Sequence, residues 1–157
     1  MMSTPLRALI DRAFTAVEAK DMEATLQCFA EDAVLIDPHY PSPVMDGKAA
    51  IADGLRWGFQ GMKQFGFSIL TYFELADGQK AAIEVATHHV LQTGKHLQFP
   101  QAFFIDAQND LITRMQAYEP YGPSGVVALV LAGTRAQRRL RGQRNQRIGV
   151  APGIGKR

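Results

Sequence analysis

Cysteine is almost missing from this 157-residue chain, and Cys28 alone can form no internal disulfide. Its place on the apolar face of a predicted helix makes it an inert core thiol. Long apolar runs are missing too. The longest nearly uncharged stretch, Gly125 to Gly133, falls well short of the roughly 20 residues needed to cross a bilayer, so no membrane span is expected. Residues 1–20 carry charges where a secretory signal needs an apolar segment, and a cytoplasmic location is the expectation. There is no His-x-x-x-His and no cysteine cluster, which argues against a metal site. A glycine-rich phosphate loop and a nucleophile elbow are also absent, so neither a bound cofactor nor Ser/His/Asp chemistry is expected.

Acidic residues are absent from residues 134–157, which hold Arg135, Arg138, Arg139, Arg141, Arg144, Arg147, Lys156 and Arg157. The rest of the chain then carries 9 of the 17 Lys and Arg against all 15 Asp and Glu. Such a tail lacks the interleaved aromatics of a nucleic-acid reader, so no specific nucleic acid is expected. Attraction to the acidic body or to a dimer partner is the simpler account.

An apolar content of 46% is enough for one globular domain with one core. Leu6, Leu9, Ile10, Ala13, Phe14 and Val17 recur at helical spacing, predicting a helix over Pro5–Ala19. Asp21 suits the N-cap of a second helix, Met22–Phe29. Ala33–Ile36 reads as a strand, followed by an extended loop forced by Pro38, Pro41 and Pro43. Lys48–Met62 reads as a third helix weakened by Gly54, Gly58 and Gly61. Strands are then predicted over Phe67–Leu75, Ala81–Leu91, Leu97–Ile105 and Leu111–Tyr118, with turns at Ala76–Gly78, Thr93–Gly94 and Asn109–Asp110. Helices followed by a meander make an α+β domain, and a curved sheet closed by helices leaves a conical cavity suited to a small apolar molecule. After residue 121, Ser124 is a plausible N-cap. A helical extension is expected over 122–141, and a basic, disordered tail over 142–157.

Asp37, where the first strand stops, is the candidate general base at the mouth of that cavity. On Leu97–Ile105 the odd positions are almost wholly apolar, so Phe99 and Phe103 should face inward and carry Gln101 with them. Gln101 then either donates to a ligand oxygen or satisfies a neighbouring backbone group. His88 and His89 are adjacent in a strand, so one faces the cavity and the other faces away. The inward one would pair with Asp37 or bond within the sheet. His39 belongs either at the pocket rim or in solvent, Trp57 reaches the pocket mouth or a partner subunit, and Phe59 and Tyr72 are candidate aromatic walls.

The order of helix, Lys20-Asp21 turn, helix, Phe29-Ala30-Glu31-Asp32-Ala33, apolar strand and Asp37-Pro38 resembles the ketosteroid isomerase branch of the SnoaL-like, nuclear transport factor 2-like superfamily. Gly47-Lys48-Ala49-Ala50-Ile51 and Met115-Gln116-Ala117-Tyr118 fit the same pattern, so the resemblance spans about residues 5–121. It implies a cone of three N-terminal helices on a mainly antiparallel sheet, and a homodimer formed across the sheet's outer face. It puts Asp37 at the catalytic base, points to His88 as the inward histidine, and makes Met115 a pocket wall. The family's oxyanion donors fall on Ala13 and near Gln101, and the supporting tyrosines fall on Phe29 and about Leu55. Losing one such donor commonly costs about 100- to 1,000-fold in rate, so true steroid isomerisation is not expected. Two readings follow. One is a cofactor-independent isomerase, cyclase or hydrolase-like enzyme moving a proton on a carbonyl, epoxide or polyketide-like substrate. The other is a noncatalytic ligand-binding or interaction module.

Overall fold

The computed structural model describes residues 3–119 and 125–141. Helix α1, Pro5–Glu18, starts where the Thr4 side chain accepts from the Arg7 N–H, with Pro5 in the first turn where its missing N–H costs nothing. It buries Leu6, Leu9, Ile10, Ala13 and Phe14. Lys20, with φ of 55°, turns the chain into α2, Met22–Gln27, which Asp21 caps through the Ala24 N–H at 2.9 Å. The second helix ends earlier than expected, because the Cys28 carbonyl accepts the Ile112 N–H at 2.8 Å and draws Phe29 into strand β1, Phe29–Ile36. Cys28 is buried, and burial pushes its thiol pKa up.

The proline-rich segment is not an extended loop. The Asp37 N–H donates to the Pro43 carbonyl at 2.9 Å and folds the segment into the turn of a hairpin, pairing β1 with a short strand β2, Val44–Asp46. Two strands therefore precede α3, Lys48–Gly61, so the helices do not form one block of three ahead of the sheet. Strand β3, Met62–Gln64, was not anticipated either. Then come β4 (Phe67–Glu74), β5 (Lys80–Leu91), β6 (His96–Gln108), β7 (Leu111–Tyr118) and α4 (Gly125–Leu140). The predicted turns carry positive φ at Gly78, Gly94, Asn109 and Asp110, the residue types that tolerate it.

The sheet order is β2-β1-β7-β6-β5-β3, with β1 and β7 parallel and the other pairs antiparallel. Strand β5 holds two partners on one edge, β4 along Ala81–Thr87 and β3 at Val90–Leu91. The result is a mixed α+β fold. The sheet's inner face meets α1 and α3 over a core that includes Leu9, Ile10, Ile51, Ile83, Val85 and Ile105. Its outer face exposes Phe73, Phe104 and Tyr118.

The α3 glycines that weaken the helix permit a close approach. A Cβ on Gly54 would lie 2.2 Å from Met45 Sδ and 3.3 Å from Tyr40, whereas a Cβ on Gly61 would meet nothing within 4 Å. Gly54→Ala is therefore expected to destabilise the fold by about 1–3 kcal/mol through overpacking. Gly61→Ala should be neutral or stabilising by up to about 1 kcal/mol, since it only restricts the unfolded chain. Urea unfolding of the two variants would measure the contrast.

Candidate functional site

Inward positions of β1, β5, β6 and β7, with α1, α3 and α4, enclose a cavity of about 340 Å³. Its walls include Ala13, Phe14, Phe29, Leu55, Trp57, Phe65, Phe67, Phe99, Phe103 and Met115, nearly all apolar. Asp37, His39, Tyr40, His89 and Gln101 also line it. The helix α4 completes the wall with Val126, Val127 and Val130. Arg135 on this helix donates to the Pro38 carbonyl at 3.1 Å and the Tyr40 carbonyl at 3.4 Å. Arg138 reaches Ser42 Oγ at 3.2 Å and Asp53 at 3.1 Å. The C-terminal helix is thus tied to the segment that carries His39. Ser124 and the tail over 142–157 lie outside the described residues.

Asp37 is 8% exposed and sits at the end of β1. Its Oδ1 accepts the His39 backbone N–H at 2.8 Å, an Asx turn that sets the loop's direction, and lies 3.4 Å from His39 Nδ1. Oδ2 has no hydrogen-bond partner among the described residues, and Asp37 lines the cavity. His39 Nδ1 also contacts Glu119 Oε1, leaving one imidazole between two carboxylates. Burial disfavours the charged imidazole, yet hydrogen bonds to Asp37 and Glu119, with their charges, outweigh it and raise the His39 pKa from 6.5 to about 9.

Gln101, only 4% exposed, accepts from the Thr87 hydroxyl at 2.8 Å and donates to Glu119 at 3.1 Å. The carboxylate can only accept, so the amide nitrogen must face it. Both polar ends of the Gln101 amide thus have side-chain partners, where a ligand oxygen or a backbone group was expected. Glu119 follows Met115 and Ala117 on the inward side of β7, so strand alternation carried a signal for it that the sequence reading missed.

Three expected site residues lie elsewhere. His88 is exposed, and the buried histidine is His89, which follows Ala81, Ile83, Val85 and Thr87 on the inward face of β5. Tyr72 does not line the cavity. It hydrogen-bonds Thr4 at 3.2 Å and Glu74, and Arg7 sits over its ring, which ties the start of α1 to β4. Phe59 packs edge-on against Phe65, behind the wall. The α3 periodicity that brought Leu55 to the cavity turns Phe59 away from it, while Trp57 packs on Tyr40 and does reach it. His39, Phe99, Phe103 and Met115 line the cavity.

Asp37, His39 and Glu119 bring candidate ligand atoms within 4.8 Å of one another. They are the residues that could hold a metal, and without one the same contacts place the His39 imidazole between two carboxylates.

Residues 10–115 match the family described as SnoaL-like domain. No curated protein matches the sequence. Among solved structures, a candidate polyketide cyclase from Pseudomonas putida is 22% identical over 73% of this chain and 90% of its own, with a TM-score of 0.64. A Mycobacterium tuberculosis protein in complex with estradiol-17β-hemisuccinate is 20% identical over 73% of this chain and 93% of its own, at a TM-score of 0.66. A Δ5-3-ketosteroid isomerase from a Mycobacterium species is likewise 20% identical, over 73% and 92%, at 0.65. At these identities the likeness is one of fold.

The two cavity histidines shift in opposite directions, and the pH dependence follows. Burial first, then the charge of His39, lowers the His89 pKa to about 4. The raised His39 contributes stability that is complete below pH 6.5 and is lost as pH rises through about 9. The lowered His89 makes stability fall as pH drops from 6.5 toward about 4. Histidine NMR titration should show both values. His39→Gln should flatten the alkaline slope of a stability profile and also weaken the acid slope, because the His39 charge is part of what lowers His89.

Proposed function

The chain belongs to the SnoaL-like domain family, and on that footing we propose that it binds a small, mainly apolar molecule and moves a proton on it with Asp37 as general base. The observation that carries this reading is a buried aspartate lining an otherwise apolar cavity, its Oδ2 without a hydrogen-bond partner among the described residues. Oδ2 takes a proton from a carbon beside a carbonyl, the electron pair moves onto the carbonyl oxygen, and the carboxyl returns the proton at another carbon. Such an isomerisation or cyclisation needs no cofactor. His39 and Glu119 act on Asp37 rather than on the substrate: the imidazolium holds Oδ1, and Gln101 and Thr87 brace Glu119 behind it. The neighbours' names point to polyketide-like and steroid-like frames as substrate classes, and a steroid-like frame accords with the apolar walls. Ala13, Phe29 and Leu55 line this cavity without a hydroxyl, which sets the chemistry apart from steroid isomerisation.

The noncatalytic binding reading draws on Gln101 and Glu119, whose polar atoms are turned toward protein partners. Turnover of 5-nitrobenzisoxazole, a carbon acid opened by any carboxylate base in an apolar pocket, separates the two. Asp37→Asn keeps an acceptor for the His39 N–H and should lose about 100- to 10,000-fold in that reaction while retaining ligand quenching of Trp57 fluorescence. Equal rates in wild type and Asp37→Asn would leave the binding reading alone standing.

A homodimer across the outer sheet face is part of the same proposal. Tyr118 pairs with Ala102 and Phe73 with Ala82, which in turn pairs with Phe104, so these aromatics share one exposed patch. Sedimentation velocity should find a dimer in wild type and a monomer in Phe104→Glu. A wild-type monomer would exclude the arrangement.

A further inference from the structure

Gly66 sits at the joint between β3 and β4, where its carbonyl accepts the His88 N–H at 2.8 Å and its own N–H donates to His89 Nδ1 at 3.2 Å. The fit is tight, since a Cβ on Gly66 would fall 2.6 Å from the His88 carbonyl oxygen. A backbone N–H can only donate, so Nδ1 must be the unprotonated nitrogen. The imidazole is therefore held as the neutral tautomer with its proton on Nε2. Phe65 and Phe67 hold the ring edge-on at 4.9 Å each, with Phe99 at 6.0 Å.

Nε2 has no protein partner among the described residues. His89 itself is 7% exposed and lines the cavity, with Nδ1 taken up by Gly66. The depressed pKa agrees with a neutral ring at physiological pH.

We propose that His89 is the oxygen anchor of the cavity, its Nε2–H donating to a carbonyl, phenol or enolate oxygen on an otherwise apolar ligand. The inference rests on the cavity reading above and adds to it a donor that neither Ala13 nor Gln101 supplies. His39 packs against the same Phe99 ring at 4.7 Å, so the anchor and the Asp37–His39 pair serve one ligand. A neutral donor can stabilise a developing oxyanion without presenting a fixed positive charge to the ground state.

The test compares 2-acetylnaphthalene with 2-ethylnaphthalene, similar frames with and without a carbonyl, by Trp57 fluorescence on the full chain. Wild type is expected to favour the ketone by about 5-fold, the worth of one net hydrogen bond. Nitrogen-15 spectra should show His89 protonated at Nε2, with that proton shifting on ketone addition. His89→Phe should abolish the preference. His89→Gln, which keeps an acceptor for Gly66 and a donor for the ligand, guards against a folding defect and should retain part of the preference. A wild type that favours the ketone yet opens 5-nitrobenzisoxazole no faster than Asp37→Asn keeps the anchor and loses the base, so a failed base and a failed anchor give different results. A proton on Nδ1, or a ketone preference that survives in His89→Phe, overturns the proposal. Failure of wild type to discriminate, including failure to bind either compound, overturns it as well.

Discussion

One imidazolium between two carboxylates, in a cavity otherwise lined by hydrocarbon, is the constraint on which the site depends. A buried charge without partners is costly, and removing one partner from such a cluster leaves the others uncompensated. His39 is bound to Asp37 and Glu119, which come from opposite ends of the chain and meet because β1 and β7 run parallel as neighbours. Gln101 and Thr87 extend the network into β6 and β5, so most of the sheet's strands contribute to it. Among the described residues these contacts fix the polar end, and Asp37 lines the cavity beside them.

Helix α4 lies outside the matched family region, yet it closes the same cavity. Its valines supply apolar wall, and Arg135 and Arg138 fasten it to the loop after β1. Part of the arginine excess, which composition alone could assign only to a general attraction, therefore has specific partners. Arg135 uses carbonyls that the hairpin turn leaves free, a charge-assisted contact stronger than an exposed ion pair.

Much of the site could be read before folding, because strand alternation is a strict two-residue period. Gln101, Phe99 and Phe103 face the cavity for that reason, and Asp37 does so because its strand ends there. The same rule, applied to Ala81, Ile83 and Val85, selects His89 over His88, and applied to Met115 and Ala117 it reaches Glu119. Following the family correspondence at β5 instead of the local alternation is what misplaced the histidine. Tyr72 and Phe59 were harder. Each sits on an amphipathic element, but which apolar residue faces a cavity and which faces packed core depends on where neighbouring elements end.

From the sequence by itself come the element types, the turns at Gly78, Gly94 and Asn109–Asp110, the apolar inner face of the sheet, and Asp37 at a strand terminus. These are local properties, set by side-chain period and by the few residues that accept positive φ. Only the tertiary structure decided that Glu119 meets His39, that Gly66 fixes the His89 tautomer, and that Gly54 exists to admit Met45 and Tyr40. Each of these is a contact between segments distant in sequence. Its partner is chosen by strand order and bulges, which no short window of residues contains.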